Sequence, residues 1–370
     1  MNYDPAAHEP LTETEWDERR AEEGIAAIVA DAEASLTGDG WPNHPLDDED
    51  GDLADVLTSL YLGAAGMAWA LPRLGSSLDH AAIADAAVRR YRAQGIDFDD
   101  PSPGLLGGES GILLVARIAG GAEADDDRLR ELVVQNERNP TWELMWGSPG
   151  TMLVAREAGF QADWEHSAQL LVAEWDAAAD GIWTQDLYGR TRQFIGPAHG
   201  FAGNVHALRG HLDEAELRRR IEGPLRATAV WDGELVNWLP TVDSESPTRM
   251  QWCHGAPGIV STLGDLLPED LLLGGAELTW RAGPLAKGPG LCHGTGGNGY
   301  AFLRTYRVTG DGKWLERART FAMHAIEQVE RARSQYGRGR FTLYTGDVGA
   351  ALFARSCLEA DDRFPTIDVW

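Results

Sequence analysis

A Gly-x-x-Gly step recurs seven times along this 370-residue chain, opening at Gly63, Gly108, Gly147, Gly200, Gly255, Gly294 and Gly346. Successive steps begin 45, 39, 53, 55, 39 and 52 residues apart, enough for two helices and two loops per unit. The residues just after each step are small and apolar, as in Gly111-Ile112-Leu113-Leu114-Val115-Ala116, which suits a helix buried on most sides. Between the steps lie one-sided apolar stripes, Trp164, Ala168, Leu171, Trp175 and Ala178 in one unit and Trp314, Ala318, Phe321, Ala325, Val329 and Ala332 in another. Their spacing is that of a helix with one buried face. Period-two alternation is confined to short pieces such as Phe341–Tyr344, so strands are not expected to organise the fold.

These features predict an all-α architecture of seven helical hairpins, with inner helices that start at the glycine turns and outer helices that face water. A closed α/α toroid with the turns lining a central cavity is favoured over an open solenoid, because the terminal repeats show no polar capping face. Residues 1–50 are read as a charged helical segment, Thr14–Ala34, and a mobile loop belonging to the same domain as the repeats in 51–370. The uncharged run Val56–Pro72 is slightly short for a membrane span and is read as the buried helix of the first repeat.

A net charge of −26 argues against nucleic-acid or anionic-membrane partners, which need clustered positive charge. Three cysteines and an acidic start without a signal-peptide pattern point to a reducing cytoplasm and to free or metal-bound thiols.

Aligned on the first glycine of each step, Cys253 and Cys292 share one position, and His199, His254 and His293 share the next. The polar residues are confined to the fourth, fifth and sixth repeats, which are neighbours in a ring. Two thiolates at equal height with a histidine beside one of them make a catalytic zinc pattern with an open fourth position. The plainer alternative is a pair of buried cysteines acting as small apolar residues. His199 has Ala198 where the other repeats have cysteine, so it suits proton transfer better than metal binding, with a structural histidine as the alternative. His254 is read as supporting or structural. Paired cavity carboxylates of a glycosidase would have to come from Glu109 and Asp347, on repeats that are not adjacent.

At Val236-Asn237-Trp238-Leu239-Pro240, Gln251-Trp252-Cys253-His254-Gly255-Ala256-Pro257-Gly258 and Lys287–Leu303, which contains Cys292-His293-Gly294-Thr295-Gly296-Gly297, the chain resembles the lanthionine synthetase C family. It is most similar to the eukaryotic-type, lanthionine synthetase C-like branch. The resemblance implies an α/α toroid, zinc on Cys253, Cys292 and His293, and His199 as acid/base. It implies addition of a thiol to dehydroalanine or dehydrobutyrine, in a peptide or protein, to form a thioether. In the peptide cyclases the thiol is a peptide cysteine; in the eukaryotic-type branch it is glutathione, and Lys287 matches a position contacting glutathione or phosphate. A cyclase acting in trans on a dehydrated precursor and a zinc- and thiol-binding scaffold without turnover are the alternatives. The cyclases' aspartate ahead of the second repeat's glycines is missing: Gly104–Gly108 stands there, Asp99 and Asp100 lie slightly upstream, and Glu109 lies inside the step. No inserted leader-binding segment interrupts the spacing.

Overall fold

A computed structural model describes residues 2–38, 40–47, 56–95, 97, 102–244 and 248–370. After α1 (Glu18–Ser35), inner and outer helices alternate along the chain. They run α2 (Ala64–Arg73) and α3 (His80–Gln94), α4 (Glu109–Ala119) and α5 (Asp126–Asn136), then α6 (Ser148–Ala158) and α7 (Gln161–Ala177). Next come α8 (Phe201–Ala207) and α9 (Glu214–Thr228), α10 (Ala256–Leu263) and α11 (Glu269–Ala282), α12 (Thr295–Thr309) and α13 (Gly312–Tyr336), and α14 (Asp347–Glu359).

The first glycine of every step is the N-cap of an inner helix. The second must also be glycine, because the incoming turn folds back against the helix: a Cβ on Gly258 would collide with the carbonyl oxygen of Trp252, and one on Gly297 with that of Leu291. Helix thus begins at Ala64 within the apolar run Val56–Pro72, not at its start.

Each inner helix packs against the next, α2 on α4, α4 on α6, α6 on α8, α8 on α10, α10 on α12 and α12 on α14, and α14 returns to α2. That last contact closes the ring and excludes an open solenoid. Among the described residues the seventh outer position is taken by α1, which packs against α13 and α14. The amphipathic stripes face inward as expected, with Trp314, Ala318, Phe321, Ala325 and Val329 buried on α13. Among the described residues, strands are limited to two short antiparallel hairpins, β1 (Gln185–Leu187) with β2 (Arg190–Arg192), and β3 (Ala229–Asp232) with β4 (Leu235–Trp238). Phe341–Tyr344 is not a strand; its backbone serves the ring instead.

A belt of backbone hydrogen bonds runs around one mouth of the toroid, through the residue two before each inner-helix cap or its neighbour. Tyr61 N–H donates to Leu106 O, Leu106 to Met145, Leu144 to Ala198, Cys253 to Cys292, Cys292 to Tyr344 and Tyr344 to Tyr61, at 2.8–3.3 Å. The carboxyl-terminal segment crosses the ring's axis. Phe364 stacks on Trp252 at 4.5 Å, Trp370 meets Trp69 of α2 edge-on at 6.3 Å, and the Ile367 carbonyl lies 3.1 Å from His206 Nε2 of α8. From α12, Arg304 reaches Asp362 at 2.9 Å and Asp368 at 3.0 Å.

Burial, with Arg209 and Arg156 nearby, outweighs the pull of Asp368 and lowers the His206 pKa to about 4. The unfolded chain therefore binds a proton that the fold rejects between about pH 6.5 and pH 4, and stability falls on acidification through that window. This histidine contributes up to about 1.4 kcal/mol per pH unit there. Denaturant midpoints measured from pH 6.5 to 4.5 will fall less steeply in His206→Gln than in the native sequence.

Candidate functional site

Cys253 and Cys292 precede the caps of α10 and α12 by two residues, and the hydrogen bond from Cys253 N–H to Cys292 O, 3.1 Å, sets their backbones side by side. Both thiols are buried, His293 is half-buried, and their donor atoms all lie within 4.8 Å of one another. Such a set fits a metal ion. Two soft sulfur donors and one imidazole are the ligand types of zinc, and three protein ligands leave one position for an incoming group. Electrostatics point the same way. A hydrogen bond from the Cys292 thiol holds Cys253 well below the ordinary thiol range, and the same contact, with burial, drives Cys292 well above it. Each thiolate opposes ionisation of the other, so ionising both at once calls for a cation between them.

Neighbouring side chains orient the sulfurs. Gln251 Nε2 donates to Cys253 Sγ at 2.9 Å. The Tyr61 hydroxyl hydrogen-bonds Cys292 while its ring stacks on Tyr344 at 5.0 Å. Tyr61 and Tyr344 occupy in the first and seventh repeats the position that the cysteines occupy in the fifth and sixth.

His199, ahead of α8, lies beside Glu143, its Nδ1 3.0 Å from Glu143 Oε2. Glu143 is fully buried and also accepts from the backbone N–H groups of Met145, Trp146 and Gly147 at 3.0, 2.6 and 3.0 Å. Burial opposes charge on His199, yet the Glu143 carboxylate outweighs it and raises the histidine's pKa above its ordinary value. Glu143 thus places a buried carboxylate against His199. It stands four residues before Gly147, in the third repeat, and inspection of the second repeat alone misses it. Glu109 instead turns to Arg128 at 2.7 Å, and Asp99 and Asp100 lie outside the described residues.

His254 is not part of the cysteine group. Its ring sits 5.6 Å from that of His199 and 6.3 Å from that of Phe194, with Nδ1 buried and unpartnered. Lys287 lines a small cavity together with His293, Arg340 and Tyr344, and also a cleft of about 380 Å³ bordered by Arg331, Arg338 and Asp347. Five side chains singled out from sequence thus occupy one region, Lys287 on the α13 side and His199 on the α8 side of the thiols.

The family model described as lanthionine synthetase C-like protein matches residues 55–369. The chain belongs to this family. Among curated lanthionine synthetase C-like relatives, it is 35% identical over 200 residues to zebrafish (Danio rerio) Glutathione S-transferase LANCL1, covering 48% of this chain and 46% of that protein. It is 32% identical over 193 residues to the LanC-like protein GCL1 of Arabidopsis thaliana, covering 48% of this chain and 44% of that one. The matched part is thus under half the length of either relative. Among solved structures, Nisin cyclase superposes with a TM-score of 0.64 at 15% identity, over 94% of this chain and 99% of that one, a likeness of fold. Among the described residues, no helix is long and apolar enough to cross a membrane.

Proposed function

We propose that this family member is a zinc-dependent enzyme that adds a thiol to a dehydroalanine or dehydrobutyrine residue of a peptide or protein, forming a thioether. The observation that carries this reading is the convergence of Cys253, Cys292 and His293 beside the His199–Glu143 pair. Cys253, Cys292 and His293 would hold the zinc, which when bound supplies the Lewis acidity that lets an incoming thiol ionise at neutral pH. Sulfur adds to the β-carbon of the dehydroamino acid, and the resulting enolate takes a proton at its α-carbon. One proton leaves the thiol and one arrives at carbon, so the addition is redox-neutral. His199, whose protonated form Glu143 favours, would deliver the second proton. Lys287, with Arg340 nearby, would bind a carboxylate of a small thiol such as glutathione.

The similarity to Glutathione S-transferase LANCL1 supports a small-molecule thiol. A trans-acting lanthipeptide cyclase is the second reading, and Glu143 favours it, since a carboxylate on the catalytic histidine is no longer missing. Three buried free cysteines fit a cytoplasmic setting. The deciding experiment combines metal analysis with mass spectrometry of a dehydroalanine peptide incubated with glutathione and other thiols. One zinc per chain and a mass gain equal to the thiol are expected. Metal-free protein sinks the mechanism, zinc without any adduct indicates a binding scaffold, and reaction only of an internal cysteine indicates a cyclase.

A further inference from the structure

Two open grooves of similar size differ in sign and in position. One, of about 760 Å³, lies over β3–β4 and α11, where Asp232, Glu234, Asp270 and Glu277 outnumber Arg281 and Lys313. The other, of about 850 Å³, carries Arg190, Arg192 and Arg249 against one carboxylate among the described residues, Asp243. Arg192 is ion-paired with Asp243, whereas neither Arg190 nor Arg249 has a hydrogen-bonded or ion-paired side-chain partner among the described residues. Three guanidinium groups lining one groove are notable in a chain of net charge −26.

This basic groove leads to the reactive region. Its floor is built where the chain leaving β2 pairs with residues 240–242: Ile195 N–H donates to Pro240 O at 3.2 Å and Val242 N–H to Gln193 O at 3.0 Å. Phe194, in that floor, sits 6.3 Å from the His199 ring, and Tyr188, at the tip of the β1–β2 hairpin, 5.7 Å from it. Tyr188 holds a left-handed φ of 54°, and its hydroxyl accepts from Trp146 Nε1 at 3.3 Å, which ties the hairpin tip to the third repeat. A peptide whose reactive residue sits at His199 would lay its neighbouring residues along the arginines.

We propose that this groove binds acidic side chains, carboxylate or phosphate, that flank the reacting residue of an extended peptide substrate. The proposal rests on the peptide-modifying reading above and names the peptides that reading would take. Guanidinium groups bind both anions through paired N–H donors, and a basic groove on an acidic protein attracts acidic segments.

The test uses the full zinc-loaded chain and fluorescein-labelled peptides in which alanine replaces the reactive residue, flanked by glutamate, phosphoserine or lysine. Fluorescence anisotropy will show the two acidic peptides binding at least about tenfold more tightly than the lysine peptide, as two or three partly exposed charge pairs provide. The advantage will shrink at high salt. Arg190→Glu combined with Arg192→Glu will reverse the order, and Arg190→Gln with Arg192→Gln, which introduces no new charge, will flatten it. Equal binding of all three peptides, or preference untouched by either double variant, overturns the groove. A parallel adduct assay with the dehydroalanine forms separates the two ideas. Adducts without charge preference leave the activity standing and remove the groove, whereas charge-selective binding with no adduct from any thiol does the reverse.

Discussion

Cys292→Ala will purify without stoichiometric zinc and will form no thioether, while keeping its helical circular dichroism. The first half follows from the donor count: Cys253 and His293 alone leave a zinc site one protein ligand short of the three used in catalytic centres. Affinity should drop by well over 100-fold, a loss that changes in the residues merely supporting a ligand already approach. The second half follows from how the ring is built. Cys292 joins the belt through its backbone N–H, to Tyr344 O at 2.8 Å, and its backbone carbonyl, from Cys253 N–H at 3.1 Å, and alanine keeps both bonds. Metal analysis, circular dichroism and the adduct assay check this together. A variant that retains one zinc per chain would remove Cys292 from the ligand set.

Glu143→Gln will lower kcat by about 100-fold or more, the contribution of a positioned general acid, with zinc still bound. The carboxylate does two things for His199: it fixes the ring through Nδ1 and raises the pKa above the ordinary value. In the proposed mechanism activity requires the protonated ring, so the rate will decline as pH rises through that pKa. Without Glu143 the pKa drops, and the alkaline limb of the rate profile moves to lower pH. An effect on stability alone would lower the denaturation midpoint but leave the limb in place. His199→Asn should cost as much as Glu143→Gln, and the double variant little more, because the two residues act as a unit.

Much of the ring was legible because its repeat is steric. A chain that folds back on the start of a helix leaves no room for a side chain, and Gly258 and Gly297 record that contact directly. The thiols were legible for a related reason: counted from those glycines, Cys253 and Cys292 fall at one position, and the belt makes one position mean one height. The seventh outer helix was harder to assign, since α1 precedes every glycine step and reaches its place only by closure against α13 and α14. Glu143 escaped notice because its partner is 56 residues away and it lies farther from its glycine than the positions that carry the cysteines and histidines. The β1–β2 hairpin, three residues in each strand, is too short for alternation to register, yet it brings Tyr188 to His199.

The carboxyl-terminal segment makes the toroid a cup. With Phe364 against Trp252, Trp370 against Trp69 and Asp362 and Asp368 tied to Arg304, the axis is stoppered on the side away from the glycine turns. A polypeptide cannot be threaded through such a vessel. On the proposed function a peptide substrate would dip a loop or an end over the lip and withdraw by the same route, so each modified chain would vacate the doorway before the next arrived.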